Sequence, residues 1–145
     1  MKNLLFTLLL IVCTTGLYAQ ADKILGTWYN EPKDAKIEVY KKGDKYYGKI
    51  VWLKNNKNDD GSSPRLDSKN EDTSKRGRTI VGSNIMIGLE WDADDNEWDD
   101  GEIYDPRSGS TYSLYAQLEN DNKLFLKGYI GFSLIGRSTY WTRAN

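Results

Sequence analysis

From Lys36 onward the chain alternates between apolar and polar side chains, the period of half-buried strands. In residues 36–42, Ile37 and Val39 share one parity, and Lys36, Glu38 and Tyr40 the other. Residues 46–53 set Tyr46, Gly48, Ile50 and Trp52 against Tyr47, Lys49, Val51 and Leu53. Farther on, the apolar parity is Tyr112, Leu114, Ala116 and Leu118, then Leu124, Leu126, Gly128 and Ile130. The last run alternates Ser138, Tyr140 and Thr142 with Arg137, Thr139, Trp141 and Arg143. Capped helix starts and 3.6-residue periodicity are hard to find beyond the N-terminal segment. Short breaks at Lys42-Gly43-Asp44, Pro106-Arg107-Ser108-Gly109 and Asn120-Asp121-Asn122 carry turn chemistry, because Gly, Asn and Asp tolerate positive φ or close their own turns. Eight strands follow, at about 25–30, 35–42, 45–54, 83–91, 97–105, 110–119, 123–131 and 136–144. Short links make neighbours antiparallel. The pattern predicts an all-β fold, an antiparallel up-and-down β-barrel in which closure removes exposed edges, with a sandwich as the alternative.

One segment breaks the rhythm. Residues 54–78 contain Leu66 as their one large aliphatic side chain, among seven basic residues (Lys54, Lys57, Arg65, Lys69, Lys75, Arg76, Arg78) and five acidic ones. A stretch this polar cannot bury itself, and a connection this long is either functional or a solvated excursion. Composition favours the solvated, mobile excursion. The alternative is a lid or partner loop over one barrel mouth, with Arg65, Arg76 and Arg78 as its candidate contacts.

The N-terminus has the three-part layout of an export signal: Met1-Lys2-Asn3, a run from Leu4 to Cys13 that is apolar apart from Thr7, and Leu17-Tyr18-Ala19 suited to cleavage before Gln20. The apolar core is half the roughly 20 residues a spanning helix needs. Val12 before Cys13, where a lipid-attachment signal would place a small residue, argues against a lipid anchor. Residues 1–19 are therefore expected to be removed. Residues 20–145 would then form a single periplasmic or secreted domain that does not span the membrane.

Composition narrows the chemistry. The chain has no His, and its one Cys, Cys13, leaves with the signal. A Cys nucleophile, a Ser-His-Asp triad, a His-bound zinc and a CxxC redox pair are all excluded from the mature domain. A formal net charge of −1 supplies no global basic field for nucleic acid. No cofactor is expected.

Gly26-Thr27-Trp28 at the first strand of a small antiparallel barrel resembles the lipocalin and fatty-acid-binding-protein superfamily, the calycins. That resemblance implies that Trp28 closes one barrel end and that an Arg of the last strand, Arg143 or Arg137, packs across it. Four further stretches sharpen the match: residues 47–54; residues 67–82 with Arg76-x-Arg78; Gly101 to Tyr112; and Gly128 to Arg137. Together, in this order, they resemble the bacterial exported family DUF2147 over about residues 24–143. The chain departs from the family pattern at Glu71, where a Pro would follow Asn70. The resemblance implies a lipocalin-like barrel and an envelope location, and no catalytic residues.

The remaining constellations read mostly as structure. Asp92 to Glu102 holds seven carboxylates, enough oxygens to interest Ca²⁺, but Glu97 stands where an EF-hand needs Gly and Ile103 where it needs Glu. A solvated hairpin tip is the better reading, with Asp92, Asp94 and Asn96 as weak Ca²⁺ candidates. Glu102 and Asp105 could form a hydrolytic pair, yet a spacing of three sends them to opposite faces of a strand. Gly131 to Gly136 lacks the nucleophile-elbow pattern, which makes Ser133 structural and the glycines a tight bend. Of the five Trp, ten Tyr and three Phe, all but Phe6 and Tyr18 fall in residues 20–145. Trp28, Trp52 and Trp141 are expected inward; Tyr47, Tyr115 and Tyr140 fall on the opposite parity. The leading function is a non-enzymatic binding barrel for a small apolar or amphipathic molecule. A side-chain-filled barrel that binds an envelope protein or glycan is the first alternative, and a carboxylate-dependent hydrolase the second. Sequence names no protein partner.

Overall fold

The computed structural model describes residue 16, residues 18–131 and residues 136–145. Among these, eight antiparallel strands pair in chain order and close into a barrel. They are β1 (Gly26–Tyr29), β2 (Ala35–Lys42), β3 (Lys45–Leu53), β4 (Asn84–Asp92), β5 (Glu97–Asp105), β6 (Ser110–Asn120), β7 (Lys123–Tyr129) and β8 (Gly136–Arg143). The ring closes where β1 meets β8, with Trp28 opposite Arg143 and Tyr29 opposite Thr142. No edge is left to template pairing with another chain.

The alternation seen in the sequence becomes inside and outside. Ile37, Val39, Ile50, Leu89, Leu114, Leu126 and Trp141 are buried within the ring. The polar parity faces out, where ion pairs such as Lys49–Glu38 and Lys45–Glu90 span neighbouring strands. Tyr47, Tyr115 and Tyr140 lie on that outer wall. Tyr47 stacks on Tyr40, and Phe125 links Tyr115 to Tyr140 with ring centroids 6.0 and 5.4 Å apart.

Trp52 departs from the expected parity. Ile37 pairs with Ile50 but Lys36 pairs with Trp52, so Val51 is an extra residue in β3. A one-residue bulge sends every later side chain of its strand to the other face. Trp52 therefore stands outside, 39% exposed. There it meets the edge of Tyr29 at 6.5 Å, with the Lys36 ammonium over both rings. Leu53 takes the inward place.

The two ends of the barrel differ. At one end the tight links of β2–β3, β4–β5 and β6–β7 surround a 3₁₀ turn, Asp22–Ile24, that plugs the ring. Ile24 is fully buried, and its carbonyl accepts a hydrogen bond from Trp28 Nε1 at 2.9 Å. Trp98 Nε1 donates to the Ala21 carbonyl at 3.0 Å. Asp22 is held by the Tyr46 hydroxyl at 2.7 Å and Lys41 Nζ at 3.1 Å. The Tyr46 hydrogen bond first, then the Lys41 ammonium, keeps the Asp22 carboxyl below its ordinary pKa. Arg143 completes this end. Its guanidinium lies over the Trp28 ring at 4.1 Å and donates to the carbonyls of Asp121, Leu25 and Lys23 at 2.7, 2.8 and 2.9 Å. Gly26 makes room for it. The backbone there has φ of 122°, and a Cβ would stand 2.9 Å from Arg143 Nη1.

The opposite end carries the β1–β2, β3–β4, β5–β6 and β7–β8 connections. The β3–β4 connection is organised by a buried carboxylate. Asp67, 0% exposed in its side chain, accepts from Arg78 Nη2 and Nε at 2.9 Å, from Asn70 Nδ2 at 2.8 Å and from the Tyr104 hydroxyl at 2.5 Å. A buried charge is tolerated when its oxygens are satisfied in this way. The segment is thus folded against the outer wall of β5 and β6, and only partly solvated as composition had suggested. Lys69 comes so close to Gly109 that a Cβ there would collide with its carbonyl oxygen.

Candidate functional site

Above the plug the barrel is not filled by side chains. A cavity of about 970 Å³ opens at the end carrying the long connection. Its volume falls at the upper end of the roughly 300–1,000 Å³ that small-molecule sites occupy. The deep wall is aliphatic and aromatic: Ile37, Ile50, Leu53, Ile103, Leu126 and Trp141 all line it. Small inward residues make the space. Ala35 and Gly128 stand in the open half, whereas Trp28, Trp98 and Tyr46 crowd the plugged half. The mouth is polar, with Asn30, Asp34, Asn55, Arg65, Arg107 and Arg137 around it.

The two last-strand arginines take different posts. Arg143 belongs to the plugged end and crosses Trp28 there. Arg137 lies at the other end of the same strand, exposed at the cavity mouth. It pairs with Gly128, whose absent side chain would touch Ile103 on the cavity wall, so Arg137 projects from the inner face. Trp141 is buried and lines the cavity; Trp28 lies deeper in the ring, against the plug. Trp52, outside the ring, contributes to neither.

The three arginines of the long connection are likewise separated. Arg65 reaches the cavity mouth. Arg78 is bound to Asp67, and Arg76 Nε donates to the Asn70 carbonyl at 2.7 Å. Both bonds lie within the connection; Arg78 also sits over the Tyr104 ring of the wall at 5.7 Å, and neither arginine lines the opening. Between connection and wall lies a second, more polar cleft of about 430 Å³, bordered by Lys75, Arg78, Glu102 and Tyr104. Burial first, then the Asp67 carboxylate, pushes the Tyr104 hydroxyl up to about 12.

The acidic stretch is a hairpin tip. Asp92 Oδ1 accepts from the backbone N–H groups of Asp94 and Asp95, and Asn96 sits at φ of 55° with Oδ1 turned to Gln20. Among the described residues no group of three or more acidic side chains is gathered as a metal site. Burial, then neighbouring carboxylates, raises the Asp99 carboxyl; burial also raises Glu97, against a hydrogen bond from Gln117. Glu102 is exposed on the outer face of β5, while Asp105 sits at the cavity mouth and accepts from Arg107, so the two form no pair. Residues 132–135, including Ser133, lie outside the described residues, as does most of the expected signal.

The residues that sequence reasoning missed are Leu53, displaced inward by the bulge, and Asp67, the anchor of the long connection. Asp67 opens one of the stretches that carried the family resemblance, and the Arg76-x-Arg78 pair within it was the visible trace of the network.

Among solved structures, the chain is similar in fold to the protein HP1028 from the human pathogen Helicobacter pylori, described as belonging to the lipocalin family. The TM-score is 0.65 at 19% identity, covering 77% of this chain and 73% of that one. No curated protein matches the sequence significantly. The model of the family DUF2147, described as an uncharacterized protein conserved in bacteria, matches residues 26–143, from the glycine ahead of the barrel-closing tryptophan to the arginine that covers it. The chain belongs to the DUF2147 family, here built as a closed eight-stranded lipocalin-like barrel.

Proposed function

We propose that this protein is an exported, non-enzymatic barrel that binds one small apolar or amphipathic molecule. The observation that carries the reading is the cavity of about 970 Å³, aliphatic in its depth, polar at its single described mouth and sealed below by the plug. Burial of an apolar ligand against such a wall supplies affinity at roughly 25 cal/mol per Å² of apolar surface, less the cost of immobilising the ligand. The few polar groups at the mouth would set orientation. Three further observations are consistent with that reading. The outer wall carries ion pairs and tyrosines rather than a lipid-facing apolar band, the reverse of a membrane barrel. No helix among the described residues is long and apolar enough to cross a membrane. Ala21, the first buried residue of the plug, comes two residues after the expected cleavage at Ala19, so removal of the signal leaves the plug intact.

The test is titration with N-phenyl-1-naphthylamine, a neutral apolar fluorophore. The account expects saturable one-site binding that is lost in Ile103→Trp, which fills the cavity from its wall, and kept in Ile87→Trp on the outer face. Absence of saturable binding by the folded protein, or equal loss in both variants, contradicts it.

A further inference from the structure

We propose that the occupant carries an anionic headgroup, a carboxylate or a phosphate monoester, received at the cavity mouth by Arg137 with Arg65. The inference rests on the binding-barrel reading and adds the chemistry of the ligand's polar end. Its basis is the state of the charged groups at the mouth. Three acidic residues line it, and each already accepts a hydrogen bond, Asp105 from a cation and the other two from neutral side chains. Glu31 Oε2 accepts from Thr139 Oγ1 at 2.9 Å, Asp34 Oδ1 from Asn30 Nδ2 at 2.6 Å, and Asp105 Oδ1 from the Arg107 backbone and guanidinium at 3.0 and 3.3 Å. That leaves Arg65 and Arg137. Neither forms an ion pair or a side-chain hydrogen bond among the described residues, which include every Asp and Glu of the chain.

Strand register makes Arg137 more than a surface cation. It faces Gly128 across β7–β8, and the same inner parity carries Thr139 and Trp141. A Cβ on Gly128 would stand 3.2 Å from Ile103 Cγ2, so the guanidinium stem rises directly from the apolar wall. An amphiphile whose chain lies against Ile103 and Trp141 brings its head to that guanidinium. Arg offers a planar fork that matches two oxygens of a carboxylate or phosphate, and the apolar wall below keeps the pair from full hydration. A neutral head would leave both guanidinium groups without an anionic partner and would forgo that interaction.

The experiment displaces N-phenyl-1-naphthylamine from the mature protein with lauric acid, lauryl phosphate and lauryl alcohol, at fixed ionic strength and above the carboxylate pKa. The account expects an anionic amphiphile to compete about tenfold or more better than the alcohol, the worth of one charge-assisted hydrogen bond. Arg137→Gln removes that preference without weakening the alcohol, Arg65→Gln reduces it, and Arg137→Lys restores part of it. Lys127→Gln on the outer wall leaves it in place. The acid and the phosphate arms tell which headgroup fits. Equal competition by alcohol and both anions overturns the headgroup assignment while the binding barrel stands. An unchanged preference in Arg137→Gln overturns the role given to that residue. Failure of the fluorophore itself to bind overturns the barrel reading and this one with it.

Discussion

Arg143 offers the sharpest test of how the barrel is closed. Replacing it with Met keeps an unbranched stem over Trp28 but removes the guanidinium. The half-buried bond to the Leu25 carbonyl at 2.8 Å is charge-assisted and worth about 1.5–2 kcal/mol. The bonds to Asp121 and Lys23 are exposed to water and count for about 0.5 kcal/mol each. The guanidinium over the Trp28 ring at 4.1 Å adds about 0.5–1 kcal/mol. Together Arg143→Met is expected to cost about 3 kcal/mol, or about 10 °C in Tm for a domain of this size. Urea unfolding followed by tryptophan fluorescence measures it directly, with an unchanged m-value showing that the same two states are compared. Arg143→Lys recovers little, since an ammonium cannot hold three carbonyls in one plane. Arg137→Met, at the exposed mouth, stays within about 0.5 kcal/mol of the parent. A cost below about 1 kcal/mol for Arg143→Met, or an equal cost at Arg137, refutes the argument that the plugged end depends on this side chain.

Other consequences can be measured in the same way. Trp141→Ala, stripping a buried ring from the cavity wall, is expected to cost about 3 kcal/mol or more, and Trp52→Ala on the outer face about 1 kcal/mol or less. Arg78→Ala leaves the Asp67 carboxylate buried with only Asn70 and Tyr104, and should cost about 2–3 kcal/mol, at the low side because Arg78 itself is a third exposed. In an ultraviolet titration Tyr104 ionises at about 12; its folded value is raised above 10.0, so the stability it contributes is present below pH 10 and lost as pH rises toward 12. Asp22 has the opposite sign: its lowered carboxyl contributes stability at neutral pH that is lost as pH falls through values below 3.8, which acid unfolding of Asp22→Asn would show as a smaller acid sensitivity.

The eight strands were legible because each is half-buried, and half-burial writes itself into a sequence as alternation. Closure was less directly written: short links put each strand beside its neighbour and closure removes the exposed edges, but the same alternation also suits a sandwich, and β8 carries a single large apolar side chain, Trp141, on its inner parity. The bulge at Val51 left no such mark. Val51, Trp52 and Leu53 are all apolar, so either parity satisfies the pattern, and only pairing against Lys36 and Ile37 decides it. Arg137 and Arg143 share one parity and differ only in which end of the strand they occupy, a distinction that depends on which end the N-terminal turn plugs. Asp67 reads as one acid in a polar run, and its burial arises from a connection that folds back over Tyr104. Hollowness was illegible because an alternating apolar face serves a filled and an open barrel equally well. The difference lies in where large and small residues meet in space, with Trp28 and Trp98 at one end and Ala35 and Gly128 at the other.

The central claim is that the open half of the barrel receives a small molecule. Native mass spectrometry of the protein, purified from its source cells without detergent, tests it most directly. The account predicts a population heavier than the bare chain by one small-molecule mass that organic extraction removes, and loss of that population in Ile103→Trp. A spectrum showing only the bare chain, from protein that also fails to take up the neutral fluorophore, would contradict it.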